Sequence, residues 1–393
     1  MNWKEVVNIF FGLSIYIVVF MAIAAWSEGE EMNLLTLKDI RSKFDSFIAQ
    51  AKSDPTSGED MLTEAYNEVE KALEGEITPE LVHLADDIYT YMGKLGLEKR
   101  ISLHRRYLKI VSDNKERFWS HWQLVDTLAV LQRNRETVEE QIRLYRWTCE
   151  HLSDAYVLEA LYDTTQAKCW KEEGRIDAWF QLYEETSERL ENPEVNRYTR
   201  CLFLQAGAEV SLFNDRLDEA LLEVEKLERL NSAHGLERYF QFWLSVITAR
   251  LLVYSKQEDW DRFNHVFMEA STFLEEEIEK RNTGHPVNIG NLRWAAHDIG
   301  WCLLWSKKYN EAQHFLQIAI DFGNDNAWSH FFLAVSIWAS EKDREKTLYH
   351  LKTAQDFMLN PLNRDMFHQT FLETPEFSDV KDDKEFLKVL GQN

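Results

Sequence analysis

His297-Asp298-Ile299-Gly300 sets an imidazole and a carboxylate side by side. Such a pair can ligate a metal ion if further His and Asp side chains reach it from other helices. Glu80-x-x-His83 and Glu311-x-x-His314 offer a second kind of metal chemistry, the i, i+3 carboxylate–imidazole pair of di-iron helical bundles. That chemistry needs two such pairs and two more glutamates in one four-helix bundle, and these pairs lie far apart in the chain. The sequence contains no G-x-x-x-x-G-K-[ST], G-x-G-x-x-G, H-E-x-x-H or G-x-S-x-G. Cys149, Cys169, Cys201 and Cys302 are widely spaced with no C-x-x-C. They form neither a zinc site nor a disulfide framework and are expected as buried thiols.

The 297–300 stretch resembles the short core of the HD phosphohydrolase signature, which implies a metal-dependent phosphohydrolase as a remote alternative. No upstream His in a suitable helical context completes that ligand set. The expectation is therefore no enzyme, no catalytic residue, no metal and no cofactor. Aromatic residues are more informative. Trp294, Trp301 and Trp305 recur at i, i+7, i+11, one side of a single helix. They either anchor a partner, as interface tryptophans do, or pack between neighbouring helices.

The elements that position these residues are helical hairpins. Trp294, His297, Gly300, Trp301 and Leu304 recur at helical spacing. Ser306-Lys307-Lys308 breaks the pattern, and Tyr309, Ala312, Phe315, Leu316 and Ala319 resume it. The layout repeats from Ala327, with Ala319 answered by Ala354 after 35 residues. Earlier hairpins are expected at 116–151, 154–190, 195–230 and 235–280. The residues opening their second helices, Ile176, Leu217, Trp260 and Tyr309, are spaced by 41, 43 and 49. A recurring unit of paired helices is the mark of a helical repeat protein.

These residues resemble the tetratricopeptide repeat (TPR), well over 291–357 and more loosely over 154–230. In that family small residues let two helices approach closely, and an aromatic plugs the turn. The matching positions are Gly300, Tyr309, Ala312, Ala319 and Ala354, with Ala167 and Ala208 upstream. The resemblance implies an all-α fold, a right-handed α-solenoid of TPR-like hairpins. It also implies a concave groove lined by the first helix of each hairpin. The groove positions are Trp294, His297, Trp301, Phe332, Thr248, Gln205, Glu209, Lys168 and Lys171, and a protein or peptide partner is expected there. The basic and amide residues of the chaperone-binding TPR clamp are absent from these positions.

Composition agrees with a folded, all-helical chain. Of 393 residues 45% are apolar and 13% aromatic, whereas Gly (14) and Pro (6) are scarce. The net charge of −23 argues against a nucleic-acid partner and for solubility. Nothing indicates a small-molecule substrate. Residues 6–26 are an apolar run long enough to cross a bilayer, so one transmembrane helix is expected to precede the repeats. Cleavage at Ala22-Ile23-Ala24 is the alternative, giving a secreted or periplasmic peptide- or glycan-binding protein. The expected layout is an anchor at 1–27, a helical region with weak repeats at 28–115, TPR-like repeats at 116–358 and capping helices at 359–393. This describes a single-pass membrane protein acting as a tethered scaffold. Its body leans to the extracytoplasmic side, with the cytoplasmic face as the alternative.

Overall fold

The computed structural model describes residues 31–53, 59–75, 77–232, 240–323, 327–357 and 361–391. Among these every regular element is helical and no strand occurs. Of the described residues, those from 31 to 195 form one compact unit. Those from Asn196 to Phe357, joined by Phe367 onward, form a second. In the N-terminal unit the helices are α1 (Glu31–Ser53), α2 (Glu59–Ala72), α3 (Pro79–Thr90), α4 (Gly93–Tyr107), α5 (Asn114–Val130), α6 (Asn134–His151), α7 (Asp154–Glu159), α8 (Thr164–Glu172) and α9 (Ile176–Ser187). In the C-terminal unit they are α10 (Arg197–Phe213), α11 (Leu217–Ser232), α12 (Phe240–Lys256), α13 (Trp260–Asn282), α14 (Ile289–Trp305), α15 (Tyr309–Asp321), α16 (Ala327–Glu341) and α17 (Arg344–Asp356). Then follow α18 (Pro361–Glu373), which joins this unit from Phe367, and α19 (Lys384–Val389).

Start signals are local side-chain caps. The Thr78 hydroxyl accepts from the Leu81 amide at 3.3 Å, with Pro79 opening α3. Asp113, Asp163, Asn196, Asn288 and Asp343 cap α5, α8, α10, α14 and α17 in the same way. Stop signals recur inside the hairpins. One residue per turn takes a left-handed conformation: Gln132, Gly174, Asp215, Glu258, Lys307 and Lys342, with φ between 54° and 67°. At five of these the next amide reaches back five residues, as in Arg133 N to Leu128 O (2.9 Å) and Lys308 N to Leu303 O (2.8 Å). This closure satisfies carbonyls that the helix end leaves without partners and reverses the chain. The described helices thus pair into hairpins, most of them closed by the same turn.

Close approach inside the hairpins uses small residues. A Cβ on Gly300 would stand 2.8 Å from Leu316 Cγ and 3.1 Å from the Leu316 amide nitrogen. Ala312, Ala319 and Ala354 are fully buried, and Ala167 and Ala208 nearly so. In the C-terminal unit the first helices α10, α12, α14 and α16 pack side by side in a row, each also backed by its own second helix. Phe367, Phe371, Phe377 and Phe386 of the tail are wholly buried, and Phe367 packs on Phe331 of α16 with ring centroids 5.1 Å apart.

Two sequence expectations are corrected. The 154–190 hairpin does not begin with one long helix, because α7 stops at Glu159 and Asp163 starts α8 anew by capping the Thr165 amide at 2.8 Å. The placement as a single-pass membrane protein does not stand. Among the described residues no helix is long and apolar enough to cross a membrane. The apolar run 6–26 and the 1–27 anchor read from it lie outside the described residues.

Candidate binding face

The row of first helices in the C-terminal unit holds most of the groove positions expected from sequence, and the structure sorts them by access. His297, Trp301 and Phe332 are core, at 0%, 5% and 1% exposure. Helix α14 turns His297 toward α16, where its Nδ1 lies 2.6 Å from the Ser329 hydroxyl. Burial alone drives that imidazole down to about 3, so it is neutral. Glu209 is buried and accepts from Gln205 Nε2 at 2.8 Å. Trp294, Thr248 and Gln205 are half-exposed. Lys168 and Lys171 are half-buried on α8 of the N-terminal unit.

Sequence reasoning missed the residue that stands out on this face. Trp294, Asp298, Trp301 and Trp305 fall at i, i+4, i+7, i+11 of α14, one continuous stripe. Trp294, Asp298 and Trp305 are all half-exposed. Neighbouring polar groups are satisfied within the chain: Thr248 Oγ1 donates to Ser245 O (3.2 Å), and Ser245 Oγ to Gln241 O (2.9 Å). Cys302 Sγ lies 3.8 Å from Thr248 O and ties α14 to α12 beside the stripe. Asp298 makes no hydrogen bond or ion pair among the described residues. Desolvation alone pushes its carboxyl up to about 7. The sequence signal was present in the same helical spacing that singled out the tryptophans. It went unused because Asp298 was considered only as a metal ligand beside His297.

The metal-type pairs are not assembled. Asp298 and His297 point to different surroundings. His83 pairs with Glu116 at 3.2 Å and stacks on Trp119, while Glu80 is exposed. Glu311 and His314 are exposed on α15. Among the described residues no group of three or more His, Cys, Asp or Glu could hold a metal ion. The four cysteines are free thiols; Cys169, Cys201 and Cys302 are buried and Cys149 is half-buried. Burial raises Cys169 and Cys201 to about 11, which leaves them protonated and unreactive at neutral pH.

A second polar system fills the N-terminal unit. Arg100 donates to both oxygens of Asp86 (2.6 and 2.9 Å) and to Gln123 Oε1 (2.6 Å). His104, wholly buried, bridges Asp86 (2.7 Å) and the Ser120 hydroxyl (3.0 Å). Burial opposes charge on Asp86, but Arg100 and His104 outweigh it and hold that carboxyl well below the usual range. Asp126, with Arg100 Nη1 at 4.0 Å, is pushed up to about 7 by burial and then by the charge of Asp163. Asp163 begins a further line through Gln166 (3.2 Å) and Gln141 (2.6 Å) to Trp170 Nε1 (2.6 Å). These bonds stitch α3, α4, α5, α6 and α8 together. They fix one arrangement of helices and present no reacting group to solvent.

No family model and no curated protein sequence matches the chain. Solved structures to which it is similar include a human IFIT1 dimer with m7Gppp-AAAA, at 14% identity and TM-score 0.43, covering 85% of this chain and 72% of that one. A monomeric IFIT1 mutant with m7Gppp-AAAA shows 13% identity and TM-score 0.43 over the same shares. Ton1535 from Thermococcus onnurineus NA1 shows 14% identity and TM-score 0.34, covering 91% of this chain and 99% of that one.

Proposed function

We propose that the chain is a non-catalytic helical-repeat scaffold, a solenoid that binds a protein or peptide segment across α10, α12 and α14 of its C-terminal unit. One observation carries this: two half-exposed tryptophans, Trp294 and Trp305, lie on one stripe of α14. Half-exposed Thr248 and Gln205 stand on the adjoining first helices. Large rigid aromatics held by a packed helix give contact area at small entropic cost, which is how interface anchors work. The surface is largely pre-formed, so binding needs little rearrangement.

The test is a comparison of partner sets captured by the full chain and by its variants. Trp294→Ala with Trp305→Ala is expected to remove the partners. Trp260→Ala is expected to leave them, because Trp260 is 41% exposed on α13, outside the row of first helices. Equal capture by all three proteins would contradict the assignment. So would binding of a capped oligoribonucleotide, the ligand named for the IFIT1 structures, in place of protein.

A further inference from the structure

We propose that the α14 stripe receives a basic side chain, with Asp298 as the counter-ion and Trp294 and Trp305 as flanking aromatic walls; the partner segment is therefore a lysine-bearing peptide. This rests on the groove reading above and names the chemistry that the groove selects.

Two observations converge on it. The first is geometric. Asp298 lies one helical turn from Trp294 and from Trp301, and two turns from Trp305, on the same face. A carboxylate beside indoles attracts a cation directly, and ring faces add to that pull; the Trp294 ring already holds the Arg293 guanidinium 5.9 Å from its centroid. The second is electrostatic. Asp298 is partly withdrawn from water and has neither an ion pair nor a hydrogen bond among the described residues, and burial raises its carboxyl to about 7 with no charged neighbour contributing. A carboxylate held this way is destabilised until a cation arrives. An incoming ammonium group would relieve that penalty and keep the group ionised. The other acids on the row are already engaged, Glu209 by Gln205 and Glu341 by Lys346.

The net charge of −23 makes the whole chain attractive to a basic partner, and Asp298 gives that attraction an address. Asp298 is itself partly withdrawn from water, so the contact is worth more than a surface ion pair. Acidic or neutral segments gain nothing there and leave the carboxylate without a cation. Discrimination is therefore built into the face.

The test titrates the full chain with an amidated, acetylated peptide of alternating alanine and lysine, and with its alanine–glutamine counterpart, followed by calorimetry and by tryptophan fluorescence. The lysine peptide is expected to bind about tenfold more tightly than the glutamine peptide. Asp298→Asn, which keeps the side-chain shape, is expected to remove most of that difference. Glu311→Gln removes one exposed charge from α15 and serves as the control for long-range attraction; it is expected to leave the preference intact. The cation assignment is overturned if the lysine peptide does not bind, or if Glu311→Gln lowers its affinity as much as Asp298→Asn. If both peptides bind alike and Trp294→Ala weakens both, the cation assignment fails while the groove stands. If the lysine peptide binds but neither Asp298→Asn nor the tryptophan variants weaken it, both fail.

Discussion

Asp298 is a residue at which stability and binding pull in opposite directions. Its folded carboxyl is raised to about 7, whereas an unfolded aspartate titrates near ~3.9. Between those values the folded chain holds a proton that the unfolded chain has lost, so stability falls as pH rises through this window. Asp298→Asn removes that dependence. The variant should be about 1–2 kcal/mol more stable than the parent at pH 8 and nearly equal to it at about pH 4, the lower edge of the window, measured by urea unfolding at both pH values. A site that lowers stability and gains a ligand is the usual stability–function trade-off. The Asp86–Arg100 pair has the opposite character. It is buried and bidentate, and His104 and Gln123 add further hydrogen bonds to it. Arg100→Leu leaves the Asp86 carboxylate buried without its guanidinium and should cost about 3–5 kcal/mol in the same assay.

At the scale of the element, the recurrent left-handed turn carries the architecture. Of its six residues only Gly174 is a glycine; the others are Gln132, Asp215, Glu258, Lys307 and Lys342. Gly174 has open space around it, so Gly174→Ala tests backbone conformation alone and should destabilise by about 1 kcal/mol. Lys307→Gly relieves the same strain and should stabilise by roughly 0.5–1 kcal/mol, both read as shifts in thermal midpoint. Much of this level was legible. Thr78-Pro79, Asn214-Asp215 and Ser306-Lys307-Lys308 are turn or cap chemistry that acts within a few residues, and the helices begin and end there. The break between α7 and α8 was not legible, because it depends on Asp163 capping α8 while its other oxygen meets Gln166 inside the unit. His297 and Trp301 show the same limit. Helical spacing placed them on one helix but carries no record of which neighbouring helix covers which side. His297 is turned into the core by Ser329, 32 residues later in the chain.

At the scale of the molecule, sequence and structure agree on helical hairpins, with every regular element among the described residues a helix. The polar system of the N-terminal unit escaped sequence reading because its members come from five helices between residues 86 and 170. Each of them, Arg100 or Gln141 for instance, looks like an ordinary surface residue until its partners are brought to it. The C-terminal unit differs in kind, since one stripe of its own α14 brings the anchors and the acid together. The measurement that tests the central claim most directly places a photo-crosslinking phenylalanine at position 294 of the full chain, and in a second protein at position 260. A protein adduct at 294 that the alternating alanine–lysine peptide suppresses, with none at 260, is the result this account predicts. An adduct at 260 and none at 294, or one at 294 that the peptide leaves untouched, would contradict it.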